Sequence, residues 1–229
     1  MLAPMEGVTD NAFRTLCYRN GADLTFTEMA RMDNLSRQKN GEVEKTSITD
    51  PTPTQIQVAG AKISEYEKFL GNFKAPEGFR GFNLNLGCPS PSFIRQGLGA
   101  AMIKRVSRVN DIVKLIGKSG FECSVKLRLG LNEYEKGKGI YLNLIEGVDA
   151  SFFAVHARTA KQTERNPADF SVYEKCADTG KQIVANGDIK TRKQIEELKR
   201  IGLYGAMIGR AAVDNPGIFK ELGMQGKRP

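Results

Sequence analysis

Eight short β-rich runs, separated by stretches of helical periodicity, constrain the fold of this chain more than any other feature. Helical patterns fill the intervals, as at residues 107–116 and at residues 191–201, where Thr191 is the predicted N-cap. The runs begin at intervals of roughly 30 residues, a spacing typical of repeated strand–helix units. They are residues 2–5, 24–29, 54–58, 82–86, 124–129, 152–156, 182–185 and 205–208.

This alternation predicts an α/β fold with a parallel sheet, and eight units predict a closed (β/α)8 TIM barrel. A doubly wound sheet is the alternative. That fold would carry a GxGxxG motif after its first strand, and none follows the first run here. We expect residues 1–220 to form one barrel domain and residues 221–229 to form a short C-terminal tail.

Polar side chains follow the carboxyl ends of the predicted strands. TIM barrels build their sites at that rim, because the loops after the strands meet there. A barrel that needed only packing would have no reason to place polar residues at all of these ends. The set comprises Glu6, Glu28, Gln57, Asn85, Cys88, Lys126, Arg128, His156, Arg158, Asn186, Asp188 and Arg210.

Two glycine-containing turns follow the last two predicted strands and have the composition of an anion site. The first is Asn186-Gly187-Asp188 and the second is Gly209-Arg210. Glycine lets main-chain N–H groups approach an anion, and arginine adds a bidentate contact. Because the last two loops of a TIM barrel often bind phosphate, we expect a phosphate here.

Side chains on three other strands indicate a cofactor. Lys126 lies in a largely apolar run, where its ammonium needs an anionic or electron-rich partner, such as the electron-rich end of a flavin. His156 is the only histidine, and Arg158 follows it on the same strand face. Gln57 ends the third run and offers an amide to the edge of a heterocycle. Together these residues predict a planar, hydrogen-bonding cofactor that carries a phosphate.

Cys88 follows the fourth run in the sequence Gly87-Cys88-Pro89, past the predicted strand and not inside it. A nucleophilic thiolate at this position would need a base, and His156 is the candidate. The thiol could instead act as a general acid that delivers a proton while a hydride arrives from the other side. The residues alone leave both roles open.

Composition bears on partners and compartment. The formal net charge of +8 indicates either a polyanionic partner or a solvated basic surface. The four cysteines lie far apart and there is one histidine, so we expect no metal site. Neither a signal peptide nor a membrane-spanning stretch is evident, and unpaired cysteines fit a reducing compartment. We therefore expect a cytoplasmic protein.

From residue 2 to about residue 219, the chain resembles the tRNA-dihydrouridine synthases, flavin enzymes that reduce uridines of transfer RNA. The opening LAPMEGVTDNAFR is similar to the start of that family, and NLNLGCPSP with QGLGAAMI is similar to its catalytic segment. Each motif is short, but their order along eight strand ends is specific. The other matching segments are IQVAG, VKLRLG, VHART, VANGDI and MIGRAAVDNPGIF.

The resemblance implies an FMN-dependent enzyme that uses NADPH or NADH to reduce uridine to 5,6-dihydrouridine in tRNA. A flipped-out uracil would receive a hydride at C6 and a proton from Cys88 at C5. The main chain at residues 3–5 would lie against the isoalloxazine ring. The implied cofactor contacts are Ala3, Pro4, Met5, Gln57, Lys126, His156, Asn186, Gly187, Asp188, Gly209 and Arg210.

The resemblance also implies substrate contacts. Asn85 would bond the edge of the uracil, and Arg128 and Arg158 would hold the base or phosphates. A basic rim would give the net charge a location and bind tRNA phosphates. The expected members of that rim are Arg31, Arg95, Arg128, Arg158, Lys161 and Arg165.

The sequence departs from the family pattern in two places. Family members usually continue into a helical domain that binds tRNA, and we expect that domain to be absent here, because the sequence ends at Pro229. The segment AKQTERNPADF lacks the family's usual tyrosine at its end.

Two alternative functions remain. One is a flavin barrel that acts on free pyrimidines, like dihydroorotate or dihydropyrimidine dehydrogenase, although GCPSP followed by QGLGAA and the basic rim argue against it. The other is an inactive barrel that only binds RNA, although Cys88, Lys126 and His156 are all present.

Overall fold

The computed structural model describes residues 1–223 and contains one curled, parallel β-sheet. Its strands are β1 (Thr25–Phe26), β2 (Ala30–Arg31), β3 (Thr54–Ala59), β4 (Phe79–Leu86), β5 (Cys123–Arg128), β6 (Phe153–His156), β7 (Ile183–Asn186) and β8 (Gly205–Met207). Neighbouring strands follow the order β1-β3-β4-β5-β6-β7-β8, and β2 also pairs with β3. The sheet therefore runs around the molecule in chain order, as a TIM barrel requires.

The opening residues close this sheet. Leu2 forms a parallel bridge with Ile208, directly after β8. The Leu2 N–H donates to the Leu24 carbonyl, directly before β1, at 2.9 Å, and the Ile208 N–H donates to the Met1 carbonyl at 3.0 Å. The chain opening thus lies between β8 and β1, and the predicted (β/α)8 barrel is confirmed.

The first predicted strand, residues 2–5, is shorter than expected. It consists of the single bridge at Leu2. Pro4 has no N–H to donate to a ladder. The Met5 carbonyl is used in a turn, where it accepts the Thr9 N–H at 3.1 Å. The segment therefore leaves the sheet and passes over the mouth of the barrel.

The second predicted strand, residues 24–29, divides into β1 and β2. Its middle residue, Thr27, accepts the Gln57 N–H with its side-chain hydroxyl at 3.0 Å, in place of a main-chain carbonyl. This substitution interrupts the ladder on β3. Pairing resumes where Ala30 lies opposite Val58.

Helices cover the outside of the barrel, and their caps and apolar faces were predictable. Helix α10 (Arg192–Arg200) begins with a capping box, in which the Gln194 N–H donates to the Thr191 hydroxyl at 3.3 Å. Helix α6 (Val106–Lys118) packs through apolar residues three and four positions apart, namely Val109, Ile112, Val113 and Ile116. A 3-10 helix spans Gly99–Lys104. The helices are α1 (Asn11–Arg19), α2 (Met32–Leu35), α3 (Asn40–Lys45), α4 (Ile63–Leu70), α5 (Pro91–Arg95), α6 (Val106–Lys118), α7 (Glu133–Gly137), α8 (Ile140–Gly147), α9 (Val172–Ala177), α10 (Arg192–Arg200), α11 (Arg210–Asp214) and α12 (Ile218–Glu221).

The barrel interior has two unlike sides. An apolar cluster fills the side of β1, β6, β7 and β8, and comprises Ala3, Phe26, Phe152, Ala154, Val184 and Met207. The side of β3, β4 and β5 carries buried polar residues, namely Gln55, Gln57, Asn83 and Ser124. Because alternate residues of a strand share a face, these side chains lie directly below the rim residues of the same strands.

The predicted domain boundary after residue 220 falls inside α12, and Leu222 is buried against the core. Residues 224–229 of the predicted tail lie outside the described residues. Within residues 1–223, no helix is long and apolar enough to cross a bilayer. The same part of the chain contains no group of three or more His, Cys, Asp and Glu side chains that could hold a metal ion.

Candidate active site

A cleft lies at the carboxyl end of the barrel and has two adjoining halves, both lined by Pro4, Lys126 and His156. The glycine half has a volume of about 220 Å³ and is otherwise lined by Ala3, Met5, Arg158, Asn186, Gly187, Asp188, Ile189, Lys190, Met207, Ile208, Gly209, Arg210 and Ala211. The cysteine half has a volume of about 200 Å³ and is otherwise lined by Glu6, Met29, Gln57, Asn85, Gly87, Cys88 and Arg128. The structure thus brings every predicted cofactor contact to one cleft, together with Cys88, Asn85, Arg128 and Arg158. Glu28, from the predicted polar set, lines neither half.

Lys126 lies where the two halves meet. Its side chain rises from β5 and is half-buried. Among residues 1–223 its ammonium forms neither a hydrogen bond nor an ion pair. Burial lowers the pKa of Lys126 to about 8, and the positive charge of Arg128 acts in the same direction. A buried cation without a partner is costly, so this position calls for an electron-rich ligand.

His156 faces the same place from β6. Its Nε2 lies 3.1 Å from Nη1 of Arg158, and because arginine can only donate, Nε2 is the acceptor and Nδ1 carries the proton. Burial lowers the pKa of His156 to about 2, and four nearby cations act in the same direction. These cations are Lys126, Arg128, Arg158 and Arg210. The ring is therefore neutral and can donate an N–H to a ligand.

Cys88 lies in the turn after β4 and is half-buried at the cysteine half of the cleft. Its N–H donates to Oδ1 of Asn85 at 2.8 Å, as does the Gly87 N–H at 3.1 Å. A Cβ at Gly99 would lie 2.7 Å from the Cys88 carbonyl, which explains the glycine in QGLGAA. With a pKa of about 2, His156 is a poor base for this thiol, and the role of Cys88 stays a prediction.

The turn after β7 is held in an unusual conformation. Gly187 has a φ of 116° and Asp188 a φ of 51°, so both lie in the left-handed region. A Cβ at Gly187 would lie 3.0 Å from the His156 ring. The Asp188 carboxylate accepts the Ala168 N–H at 3.0 Å and the Arg210 guanidinium at 3.0 Å. These contacts fix the turn against the histidine and against α11.

Asp188 is the carboxylate that keeps this turn together electrostatically. Burial alone would raise the pKa of Asp188, but hydrogen bonds from the Ala168 N–H and from Arg158 outweigh burial and lower that pKa, as do the charges of Arg158 and Arg210. Asp188 is therefore ionised at neutral pH and paired with two arginines.

Main-chain donors in the two glycine turns stay available. Within the described part of the chain, no hydrogen bond uses the N–H of Gly187, Gly209 or Arg210. The Asn186 side chain donates one amide hydrogen to the Met207 carbonyl at 2.9 Å and is 7% exposed, so this contact holds it against β8. The turns consequently offer an anion main-chain N–H groups and the half-exposed Arg210 guanidinium.

Arg158 is more deeply buried than its predicted role in substrate binding would suggest. It is 1% exposed, and its guanidinium donates to the Asn166 carbonyl at 2.6 Å, to Asp188 and to His156. Arg128 donates through Nη1 to two carbonyls of the loop after β6, at 2.7 and 3.1 Å. Both arginines support that loop. Their contact with substrate stays a prediction.

A model of the dihydrouridine synthase family matches residues 1–228. The chain belongs to the dihydrouridine synthase family. It is 31% identical over 233 residues to a probable tRNA-dihydrouridine synthase of Aquifex aeolicus, covering 97% of this chain and 72% of the relative. It is 28% identical over 226 residues to tRNA-dihydrouridine synthase B of Pseudomonas putida (strain KT2440), covering 97% of this chain and 67% of the relative.

Solved structures with the same fold are more distant in sequence. N-(5'-phosphoribosyl)anthranilate isomerase of Pyrococcus furiosus aligns with a TM-score of 0.55 at 12% identity, over 96% of this chain and 95% of that one. Nitroalkane oxidase of Streptomyces ansochromogenes aligns with a TM-score of 0.53 at 12% identity, over 91% and 64% of the two chains. At this identity the likeness shows the fold alone.

The predicted basic rim of this dihydrouridine synthase family member is mixed in character. Arg31 is engaged by Asp33 at 3.1 Å and by Gln96 at 2.9 Å. Lys161 and Arg165, in the loop after β6, are exposed. Lys161 and Arg165 are therefore open to solvent, whereas Arg31 is bound to Asp33 and to Gln96, directly after α5.

Sequence reasoning missed the polar residues inside the barrel of this family member. Gln55, Asn83 and Ser124 are buried and hydrogen-bonded below the cleft. The available signal was the alternation in TQIQV and FNLNL, where polar residues recur at every second position of a strand. On a barrel strand, that alternation points the amides inward.

Proposed function

We propose that this chain reduces a uridine of tRNA to 5,6-dihydrouridine, with FMN bound in the cleft and NADPH or NADH as reductant. Membership of the family and the names of its relatives support the reaction. The observation that carries the proposal is the unpartnered ammonium of Lys126, which lies between the Cys88 thiol and the glycine turns. That is the place for an electron-rich ring that carries a phosphate.

The residues of the glycine half fit FMN. The N–H groups of Gly187, Gly209 and Arg210 would receive the phosphate, as would the Arg210 guanidinium. Lys126 and the Nδ1–H of His156 would donate to the ring, and both lack a competing partner among the described residues. When bound, FMN supplies the hydride that the reaction needs.

The residues of the cysteine half fit a base extruded from RNA. The C5=C6 bond of uracil takes up one hydride at C6 and one proton at C5. Cys88 holds that proton at the mouth of the cleft, and the thiolate left behind regains a proton from solvent. Nη2 of Arg128 forms no hydrogen bond within residues 1–223 and is free to meet the base or a phosphate.

The test of the proposed function begins with colour. The full chain should purify yellow, or turn yellow with added FMN, and NADPH should bleach it in the absence of oxygen. A Gly187→Ala variant should bind FMN about tenfold more weakly or worse, because the new Cβ must displace His156 from a residue already at a positive φ. Fluorescence titration of free FMN measures both affinities.

Gly180→Ala is the matched control, because Gly180 also has a positive φ but has nothing within 4 Å of an added Cβ. It should retain the FMN affinity of the wild type. A chain that neither holds nor takes up FMN would overturn the proposal. A reduced flavoprotein that reacts with free uracil and ignores unmodified tRNA would point to a pyrimidine dehydrogenase instead.

The exposed cations of the loop after β6 predict salt-dependent binding of tRNA. Replacing Lys161 and Arg165 together by alanine should reduce the slope of log affinity against log salt by up to about two, because each phosphate contact releases condensed counterions. Filter binding across a salt series measures this slope. Reduction of the flavin by NADPH should stay unchanged, because neither side chain lines the cleft.

Lys199 and Arg200 provide the matched control pair. They are exposed at the end of α10, which lies at the opposite end of the barrel from the cleft. Their replacement by alanine should leave the slope nearer that of the wild type. Equal slopes for the two double variants would show that the loop after β6 is not an RNA surface.

A further inference from the structure

A continuous chain of hydrogen bonds crosses the polar side of the barrel interior. It begins near the amino-terminal end of the strands, where Nε2 of Gln55 donates to the Arg80 carbonyl at 3.1 Å. Oε1 of Gln55 accepts the Ser124 hydroxyl at 2.5 Å. The Ser124 oxygen in turn accepts Nδ2 of Asn83 at 2.7 Å. Three strands are thereby joined inside the barrel.

The series of hydrogen bonds continues toward the carboxyl end of the barrel and reaches the turn at Gly87 and Cys88. Nε2 of Gln57 donates to Oδ1 of Asn83 at 2.7 Å. Nδ2 of Asn85 donates to Oε1 of Gln57 at 2.9 Å. Oδ1 of Asn85 then accepts the main-chain N–H groups of Gly87 and Cys88. In every hydrogen bond of this series, the donor belongs to the residue that is nearer to Cys88 along the series.

The two ends of this chain determine its direction. The Arg80 carbonyl can only accept a hydrogen bond, and the N–H groups of Gly87 and Cys88 can only donate. If one amide turned over, it would set two donors or two acceptors against each other at its link to a neighbouring amide or to the main chain. Since Asn83 and Ser124 are 0% exposed, water cannot repair such a mismatch.

This direction decides what the cleft receives. Gln57 and Asn85 each use one amide hydrogen within the series of hydrogen bonds, and each has a second hydrogen on the same nitrogen. Both residues line the cysteine half. That half is therefore supplied with N–H donors, which suit a ligand edge made of carbonyl oxygens.

We propose that Asn83, Ser124 and Gln55 are positioning residues. They orient the amides of Gln57 and Asn85 so that the NH2 groups face the cleft, and they keep the turn at Cys88 fixed. None of the three lines the cleft. A fully satisfied buried polar network rigidifies the groups that it joins, which is how residues below the site act at its surface. The identity of the bound edge as flavin or uracil rests on the proposed function; the positioning itself does not.

Two replacements of Asn83 separate positioning from bulk stability. Asn83→Asp keeps an oxygen that accepts Nε2 of Gln57, whether or not the carboxyl is ionised. Asn83→Leu keeps the branching and the number of heavy atoms of the side chain and has no acceptor. A buried carboxyl is more destabilising than a buried leucine. A merely structural role therefore makes Asp the worse variant, whereas a positioning role makes Leu the worse one.

The deciding measurement is the rate of amide hydrogen exchange at Gly87 and Cys88 in the full-length protein, recorded by NMR. Urea unfolding of the same variants measures their overall stability. Asn83→Leu should speed exchange at these two amides by about fivefold, the effect of one net hydrogen bond. Asn83→Asp should leave their exchange near that of the wild type, although it unfolds at lower urea. Thr54→Val removes a buried hydroxyl from the same barrel outside the chain of bonds and should not change exchange at either amide.

The inference would be overturned if exchange at Gly87 and Cys88 followed overall stability, so that it was faster in Asn83→Asp than in Asn83→Leu. Unchanged exchange in both variants would overturn it equally. Neither outcome depends on FMN or tRNA, so failure here is distinct from failure of the proposed function. If both hold, Asn83→Leu should slow oxidation of the reduced enzyme by tRNA, and Asn83→Asp should restore most of that rate.

Discussion

Replacing Cys88 by alanine should slow oxidation of the reduced enzyme by tRNA by about a hundred- to ten-thousand-fold, the usual effect of losing a general acid. Reduction of the enzyme by NADPH should stay within about twofold of the wild-type rate. The reason is that the thiol is needed only when a carbon atom of the substrate takes up a proton. Cys88 is also the one cysteine of this chain that is not buried.

Stopped-flow absorbance of the flavin, recorded separately for the two half-reactions, provides the measurement. Cys176→Ala is a suitable control, since Cys176 is buried within α9 and lines neither half of the cleft. Burial raises the pKa of the Cys176 thiol to about 12, so this cysteine takes no part in proton transfer. Equal slowing of both half-reactions by Cys88→Ala would contradict the assigned role and favour a general defect of the site.

Lys126→Met should have two opposite effects. The variant should bind FMN about ten- to a hundredfold more weakly, because a charge-assisted hydrogen bond to the ring is lost. In the absence of flavin it should be more stable than the wild type, by up to about 3 kcal/mol at pH 7, since the lowered pKa of about 8 reflects the desolvation of a half-buried cation. Lys126 would thus raise the affinity for FMN and lower the stability of the flavin-free protein.

The stability gain should depend on pH in a defined direction. Below about pH 8 the lysine is protonated in both the folded and the unfolded chain, and the full cost of burial is present. Between about pH 8 and the ordinary value of 10.5, the unfolded chain binds more protons than the folded one, so the wild type gains stability with rising pH. The difference between wild type and Lys126→Met should shrink over this range.

Urea unfolding of the flavin-free proteins at several pH values tests this expectation. Lys114→Met is the matched control, because Lys114 lies on the exposed face of α6. It should alter neither FMN affinity nor the pH dependence. A Lys126→Met variant that is less stable than the wild type at pH 7 would show that the ammonium has a partner inside the protein.

The sequence was most informative where a local pattern determines the structure. Alternating apolar strands and capped helices predicted the barrel, and the strand ends predicted the residues of the cleft. Glycines at positions 187 and 209 predicted accessible main-chain N–H groups, and within residues 1–223 neither N–H forms a hydrogen bond. Such features depend on neighbours in the chain, so one sequence is enough to recognise them.

The features that escaped prediction depend on contacts between distant segments. The Thr27 hydroxyl divides a strand because it lies opposite Gln57. Arg158 is buried because the loop carrying Asn166 folds back over it. The hydrogen bonds of Asn83 need partners from two other strands. Neither propensity nor periodicity contains information about these pairs.

If FMN binds as proposed, the closure of the barrel by Leu2 links cofactor uptake to folding. This seam joins two segments separated by most of the chain, so closing it is entropically unfavourable, and a single bridge with a few hydrogen bonds holds it. Met5 lies on one side of the seam and Arg210 on the other, and both line the glycine half of the cleft. A ligand that contacts both Met5 and Arg210 stabilises the association of the two segments that carry them. FMN bound as proposed would therefore stabilise the closed barrel, and the flavin-free chain is expected to open first between β8 and β1.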